Sequence, residues 1–286
     1  MRRCGWLMIL PAMAMLAQAG PETDLKLARE LATGNDHGQA ALEFRRLAMD
    51  ARESAAQGAY YWMAGYEYWK AGRVDQADRM LGQVEDTAPG LETEVYLLRA
   101  ENSRSRNRPR EAIFYFESLT STNRPVAVRQ LASRKLSAVR LQVRDFEGAR
   151  QALNGGADSR AEGVGAIAAY ERGRDKSPVV GGLLGLIPGL GYAYSGEYAS
   201  ATRSLLLNAL CIWGMVSFAE DETWGGVAVV GFAELTFYSG SIYGGVDAAV
   251  RYNQNRLQAA TRTIEGRAGF QPDYAVLPVL SLRVEF

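Results

Sequence analysis

The residues that could do chemistry are few in this chain. It has one histidine, His37, and two cysteines, Cys4 and Cys211. One histidine supplies neither a His-rich metal site nor a choice of base for a Ser-His-Asp triad, and the cysteines offer no disulfide framework or thiolate metal site. His37 follows a predicted turn and is expected to be a polar turn residue and not a ligand. The sequence therefore predicts a non-enzymatic protein without metal or cofactor.

The other chemically suggestive group is Glu234, a carboxylate within an apolar run. A carboxylate at membrane depth normally faces another helix or a wet cavity. Glu234 is interpreted either as a proton or ion site, or as a structural residue that, when protonated, joins two helices by a hydrogen bond to Asn208. A lone carboxylate makes no relay, which favours the structural role.

Charge and composition exclude further classes. The 32 Lys and Arg residues balance the 32 Asp and Glu residues among 286, whereas a dedicated nucleic-acid binder is usually basic. No small-molecule substrate is indicated. The slightly negative mean hydropathy, −0.16, makes any membrane part a minority of the chain.

Residues 1–19 have the pattern of a secretory signal peptide. Arg2 and Arg3 precede the apolar stretch Trp6–Leu16, and Ala17-Gln18-Ala19 is a small-x-small cleavage site. The stretch is short for a membrane span, and Cys4 precedes it, so it is badly placed for lipoprotein acylation. The pattern predicts export.

Residues 20–156 show a repeated pattern of small and large apolar residues. The alanines that mark a second helix are 37, 35 and 37 residues apart, and the clearest unit also has aromatic residues, a glycine and a closing proline. These alanines are Ala40, Ala77, Ala112 and Ala149, and that unit comprises Tyr61, Ala64, Gly65, Tyr68, Ala77, Leu81 and Pro89. Small residues let paired helices approach, and proline ends the second helix.

This pattern resembles the tetratricopeptide repeat. The resemblance implies stacked helical hairpins whose concave face takes a peptide or a partner's helix. Candidate face residues are Arg99, Asn102, Arg104 and Arg106, although an Arg-rich turn can also be simply solvated. Core packing explains most of an aromatic cluster, but one helix face cannot bury all six: Tyr60, Tyr61, Trp62, Tyr66, Tyr68 and Trp69.

After a closing helix and linker at residues 157–176, residues 177–250 form a block predicted to be a membrane domain with two or three apolar helices. Gly181, Gly185 and Gly189 would share one helix face, through which membrane helices pack closely. Pro188 would break that helix, so the first run is either a kinked span or a re-entrant hairpin. Charge around the later runs slightly favours three crossings.

A second resemblance covers roughly residues 178–252. The series Pro188, Gly189, Gly191, Tyr194 and Gly196 is similar to the entry of small TM2-type membrane domains, some of which are joined to tetratricopeptide repeats in bacterial envelope proteins. The chain lacks the Asp-Arg signature of many TM2 domains. The resemblance implies a topology and no activity.

Residues 251–286 are predicted to be a polar helix end followed by a tail. Leu280, Leu282, Val284 and Phe286 alternate with polar residues, which is typical of a half-buried strand. The strand would pack on this protein or add to a partner's sheet edge.

The sequence thus predicts an all-α protein: a helical-hairpin array, a small helical membrane domain and a short strand-like tail. The expected function is an envelope scaffold or adaptor, anchored in membrane lipid, that binds a protein or peptide. The alternative is a membrane-active component used in transport, lipid contact or membrane-protein assembly. The expected location is the inner membrane with the array in the periplasm; the outer membrane is less favoured.

Overall fold

A computed structural model describes residues 21–155, 160–266, 269–272 and 280–281. The predicted signal peptide lies outside the described residues. The described part is helical except for one pair of two-residue strands. The chain divides into two compact units, the first with residues 1–143, 151–157 and 267–286 and the second with residues 144–150 and 158–266.

The first unit is built from successive antiparallel helices. Two 3-10 turns, Pro89–Leu91 and Leu153–Gly155, follow α4 and α8, and α8 is shared between the units. The helices are α1 Pro21–Thr33, α2 His37–Asp50, α3 Ser54–Lys70, α4 Val74–Thr87, α5 Glu92–Ser105, α6 Pro109–Leu119, α7 Val126–Gln142 and α8 Phe146–Ala152.

The periodic small residues lie where the helices cross. All four repeat alanines are fully buried, and the large residue one turn after each is also buried: Phe44, Leu81, Phe116 and Leu153. At the α3–α4 crossing, a Cβ on Gly65 would lie 3.5 Å from the Ala77 carbonyl oxygen. The two helices therefore approach until a single methyl group would fill the remaining space.

A similar turn recurs between paired helices. One residue in each turn adopts a left-handed conformation: Asn35, Gly72, Asn107 and Arg144. In the first three turns the next N–H donates to the carbonyl five residues earlier, as Arg73 does to Tyr68 at 2.8 Å. This is the Schellman helix ending, in which glycine and asparagine are the least strained residues.

The second unit is organised around its last and longest helix. Helices α9, α10, α11 and α12 all pack against α13. Their bounds are α9 Arg160–Arg172, α10 Pro178–Leu184, α11 Leu190–Tyr194, α12 Tyr198–Glu220 and α13 Trp224–Glu265.

The first apolar run does not form a spanning helix. At 1.5 Å per residue, α10 and α11 are only about 10 Å and about 8 Å long, whereas a bilayer core is about 30 Å thick. This run therefore does not cross as one continuous helix, and the number of crossings stays a prediction. Gly189, at φ +90°, starts α11 after the chain has turned at Pro188, so the run is a short helical hairpin.

Among the described residues, one helix is long and apolar enough to cross a membrane, α12. A core helix can pass the same test, but only 6% of the most apolar window of α12 is buried. Large apolar side chains on α12 and α13 are exposed as well, including Trp213 (68%), Val229 (72%) and Phe232 (75%). An apolar surface this continuous is typical of a partner or membrane interface.

The tail contains the two short strands. β1 (Gln271–Pro272) pairs with β2 (Leu280–Ser281) in an antiparallel register that sets Gln271 opposite Ser281. Leu280 of the predicted alternating strand is therefore extended, while Leu282, Val284 and Phe286 lie outside the described residues.

Candidate functional site

An aromatic groove lies on the face of α3 in the first unit. Tyr66 and Trp69, one helical turn apart, both contact Phe270, which comes just before β1. The Trp69 and Phe270 rings are stacked with centroids 6.2 Å apart and planes 14° apart. Phe270 meets Tyr66 edge-on at 6.0 Å. We call these three residues, with Tyr96 and Tyr115, the aromatic groove.

The groove continues onto the next hairpin. The rings of Tyr96 on α5 and Tyr115 on α6 lie 5.5 Å apart. Phe270 packs against both apolar clusters of this unit, one around α2–α4 and the other around α5–α7. A single aromatic side chain from the tail thus bridges two neighbouring hairpins.

Polar groups fix the edge of the groove. The Trp69 indole N–H donates to the Ser105 hydroxyl at 3.1 Å, which sets the orientation of its ring. The Lys70 ammonium lies 5.7 Å from the Trp69 ring centre, within range of a cation–π contact. Burial, and secondarily the nearby Glu67 carboxylate, raises the pKa of Tyr66.

The four arginine and asparagine residues predicted to face a partner make polar contacts within the array. Asn102 is buried and donates to the Val74 carbonyl at 2.9 Å and to Asp78 at 2.7 Å. Arg106 binds Asp78 at 2.8 Å, also across the α4–α5 contact. The other two bind nearby carboxylates: Arg99 binds Glu85 and Arg104 binds Glu101. Arg99, Asn102 and Arg106 therefore join α5 and its C-terminal turn to α4, whereas the pair of Arg104 with Glu101 lies within α5.

Two buried carboxylates also link helices. The fully buried Glu67 lies 2.7 Å from His37 Nδ1, so the single histidine pairs α2 with α3. Glu101 binds Lys135 at 3.0 Å. Burial opposes ionisation of Glu101, but Lys135 and Arg104 outweigh it and hold the pKa of its carboxyl below the usual range. Within the described residues no group of three His, Cys, Asp or Glu side chains is placed to hold a metal ion.

The glycines of the second unit make contacts between backbones. A Cβ on Gly181 would lie 2.4 Å from the Gly245 carbonyl oxygen, and one on Gly185 would lie 2.6 Å from that of Ser241. A Cβ on Gly191 would meet Gly181 at 2.5 Å. The predicted close packing therefore occurs against α13 of the same chain. The single continuous glycine face is not formed, because α10 ends at Leu184.

The remaining residues of the glycine-tyrosine series shape the turns around α11. Gly189 approaches the Ala201 carbonyl oxygen, which a Cβ would meet at 2.5 Å, and Gly196 adopts φ +83° before α12. The Tyr194 hydroxyl accepts from the Ser177 N–H at 3.1 Å, and its ring lies 4.7 Å from the Lys176 ammonium. These contacts fix the start of the apolar block.

Polar residues cluster around residues 251–256 of α13, beyond the apolar half of that helix. Arg251 binds both oxygens of Glu197, at 2.9 and 3.0 Å, and this pairing lowers the pKa of Glu197. The side chain of Asn253 exchanges two hydrogen bonds with the backbone of Lys176, and Arg256 binds Asp175 at 2.6 Å. We use polar collar for these six residues. The chain therefore enters the apolar block and leaves it at one end.

The two polar residues inside the apolar block do not pair as predicted. The Asn208 amide donates to the Ser204 carbonyl of its own helix at 2.7 Å, and Glu234 pairs with the Cys211 thiol. One side-chain oxygen of each, Asn208 Oδ1 and Glu234 Oε2, is buried without a partner among the described residues. The Glu234–Asn208 hydrogen bond was therefore wrong.

Asn208 lines a cleft of about 340 Å3 between α11, α12 and α13. Comparison with protein-family models, with curated proteins and with solved structures finds no match to this chain. Any functional conclusion therefore rests on the groove, the glycine contacts and the cleft themselves.

Proposed function

We propose that this protein is a membrane-anchored adaptor whose helical-hairpin array binds an extended segment that presents an aromatic residue. The contact that carries the proposal is Phe270 stacked on Trp69. Here the array already holds an aromatic side chain from a segment that becomes extended at Gln271. A partner segment with the same chemistry fits the same place, and the resemblance to tetratricopeptide repeats supports this mode of binding.

The anchor in this proposal is the α12–α13 hairpin. Helix α12 and the apolar half of α13, residues 224–246, are each about 35 Å long, enough to cross a bilayer core. Their exposed apolar side chains would face lipid, and residues 220–222 would form the acidic turn on the far side. Two crossings place both flanks of the block, and hence the array, in one compartment.

The compartment in the proposal is the exported side of the inner membrane. The signal peptide predicted in residues 1–19 supports this side, whereas the basic residues of the polar collar favour the cytoplasmic side under the positive-inside rule.

The binding half is tested with a fluorescent synthetic peptide of residues 266–286 and the full-length protein in detergent. The Phe270→Ala protein should bind the peptide, and wild type should bind it more weakly because its own Phe270 occupies the groove. Burying a phenylalanine contributes about 1.5–3 kcal/mol. A second change, Trp69→Ala, should therefore weaken binding by about tenfold or more.

The matched control is Phe114→Ala in the same Phe270→Ala background. Phe114 is 60% exposed and contacts Tyr115 without reaching Phe270, so its removal should leave the affinity unchanged. If a peptide that itself carries Phe270→Ala binds as tightly as the unaltered one, aromatic recognition is ruled out and the proposal fails.

The alternative, a membrane-active component, gains support from one observation only. Glu234 contacts a thiol and Asn208 bonds its own helix, so the described polar residues do not connect into a path for protons or ions. The cleft beside Asn208 favours the lipid-contacting form of the alternative.

A further inference from the structure

The cleft between α11, α12 and α13 combines features of a ligand site that neither the glycine packing nor the anchor role explains. Its volume, about 340 Å3, is within the range of small-molecule sites. Seven of its ten lining residues carry a polar or charged side-chain group, in a block otherwise rich in exposed leucine and valine. The lining residues are Tyr192, Ser200, Arg203, Ser204, Leu207, Asn208, Thr236, Phe237, Gly240 and Ser241.

Arg203 is the one charged residue among those that line the cleft. Its Nε donates to the Ala199 carbonyl of the preceding turn at 3.1 Å, and neither terminal nitrogen has a partner among the described residues. Arg251, by contrast, is neutralised by Glu197 and Asp247. Arg203 therefore leaves a planar guanidinium fork open for an anion, and phosphate is an anion that this fork fits.

Asn208 provides the second, independent observation. Its side chain is only 2% exposed, and Oδ1 is buried without a partner while the amide nitrogen is used within α12. A buried carbonyl without a donor costs about 1–3 kcal/mol, so a donor supplied by a ligand would remove that cost. Asn208 lies five residues beyond Arg203, about 7.5 Å deeper along α12.

We propose that this cleft binds a phosphate-bearing ligand, with the phosphate on the Arg203 guanidinium and a ligand hydroxyl or N–H donating to Asn208 Oδ1. Arg203 lies six residues after Glu197 of the polar collar, and Asn208 lies within the apolar stretch. With α12 crossing the membrane, on which this inference rests as part of the proposed function, the site spans the depth at which a bilayer changes from headgroup to hydrocarbon. A lipid headgroup and a soluble phosphate ester share this chemistry.

The test uses full-length protein in an uncharged detergent, with bound ligand counted by native mass spectrometry. The probes are dioctanoyl phosphatidylglycerol, which has hydroxyl donors, dioctanoyl phosphatidylcholine, which has none, and glycerol phosphate without acyl chains. Arg203→Gln should weaken phosphatidylglycerol binding by about tenfold to a hundredfold, the loss expected for charge-assisted hydrogen bonds. Arg203→Lys, which keeps the charge and loses the fork, should give a smaller loss.

Two further variants define the site. Asn208→Ala should weaken phosphatidylglycerol but leave phosphatidylcholine unchanged, because only the former has donors. Arg262→Gln, an exposed arginine of α13 that does not line the cleft, should behave as wild type. Circular dichroism checks that each variant is folded.

The outcomes distinguish a lipid headgroup from a soluble phosphate ester and also test whether the cleft binds phosphate. Binding of phosphatidylglycerol without binding of glycerol phosphate supports a lipid headgroup. Equal binding of both supports a soluble phosphate ester at the same residues. The proposal is overturned if Arg203→Gln and Arg262→Gln weaken binding equally. It is also overturned if neither Arg203→Gln nor Arg203→Lys weakens binding.

Discussion

Replacing Gly245 by alanine is expected to separate α10 and α11 from α13. A Cβ at this position would lie 2.3 Å from the Gly181 carbonyl oxygen and 3.0 Å from Gly191 Cα, whereas ordinary contact begins at 3.4 Å. The shortfall of about 1 Å is against backbone atoms, which no change of rotamer relieves. The cost should reach the upper end of overpacking penalties, about 3 kcal/mol.

The control is Gly240→Ala, five residues earlier on the same helix. Nothing lies within 4 Å of a Cβ at Gly240. Alanine there should be neutral or stabilise the helix by up to about 1 kcal/mol through its higher helix propensity. The two variants share a residue type, a helix and a chemical change, so they differ only in what the added methyl group meets.

Hydrogen exchange of the full-length protein in detergent, followed by mass spectrometry, measures the difference locally. A cost of 3 kcal/mol corresponds to about a hundredfold faster exchange where opening limits it. That acceleration should appear in residues 178–196 of the Gly245→Ala protein and be absent from α2–α6. Equal protection of residues 178–196 in both variants would show that the close approach of α10 to α13 is not what holds the short hairpin.

Two further predictions concern the first unit. Glu101→Gln should lower the free energy of unfolding of this unit by about 3–5 kcal/mol at pH 7, because it leaves Lys135 buried without its carboxylate partner. The control is Glu30→Gln at an exposed position, which should lower it by at most about 1 kcal/mol. The pKa of Glu101 is lowered in the folded state, so the stability that its carboxylate contributes is complete above the unfolded-state pKa of about 4.3 and is lost as pH falls through the folded-state pKa. Urea unfolding of the wild-type and Glu101→Gln proteins at pH 7 and pH 3 measures this loss. A stability difference between the two proteins that is the same at both pH values contradicts the prediction. Gly72→Ala should destabilise by about 1 kcal/mol because Gly72 has φ +72° with open space around it, whereas Gly82→Ala, in the helical α4 and equally open, should stabilise by a similar amount. Equal effects of the two glycine changes in urea unfolding would exclude backbone conformation as the cause.

The helical hairpins were predictable because the signal for them is local. Ala40, Ala77 and Ala112 recur at helix crossings, and a small residue at a crossing has one physical reason, the approach of two backbones. The turns were equally local, since Gly72 and Asn107 are residue types that tolerate the left-handed conformation. Arg144, which adopts the same conformation, carries no such signal.

The contact of Phe270 with α3 was not predictable from the same pattern. Phe270 is about 200 residues from Trp69 in the sequence, and no periodicity links the tail to α3. The available signal was the surplus of aromatic residues on α3, since one helix face cannot bury six. Arg106, one of the residues predicted to face a partner, has acidic partners on α4 about 30 residues earlier, and nothing local distinguishes such an arginine from a solvated one.

The glycine-rich run now has a different physical meaning from the one its spacing suggested. Gly181, Gly185 and Gly189 at intervals of four predict a flat face on one long helix, which would be free to pair with another membrane helix. In the structure the helix stops after Leu184, and the glycines instead bring two short helices against Gly245 of the same chain. A small-residue face that is used internally is no longer available to a partner helix. Under the two proposals above, a partner segment is therefore better sought at the aromatic groove, and a phosphate-bearing ligand at the Arg203 cleft, than along the glycines.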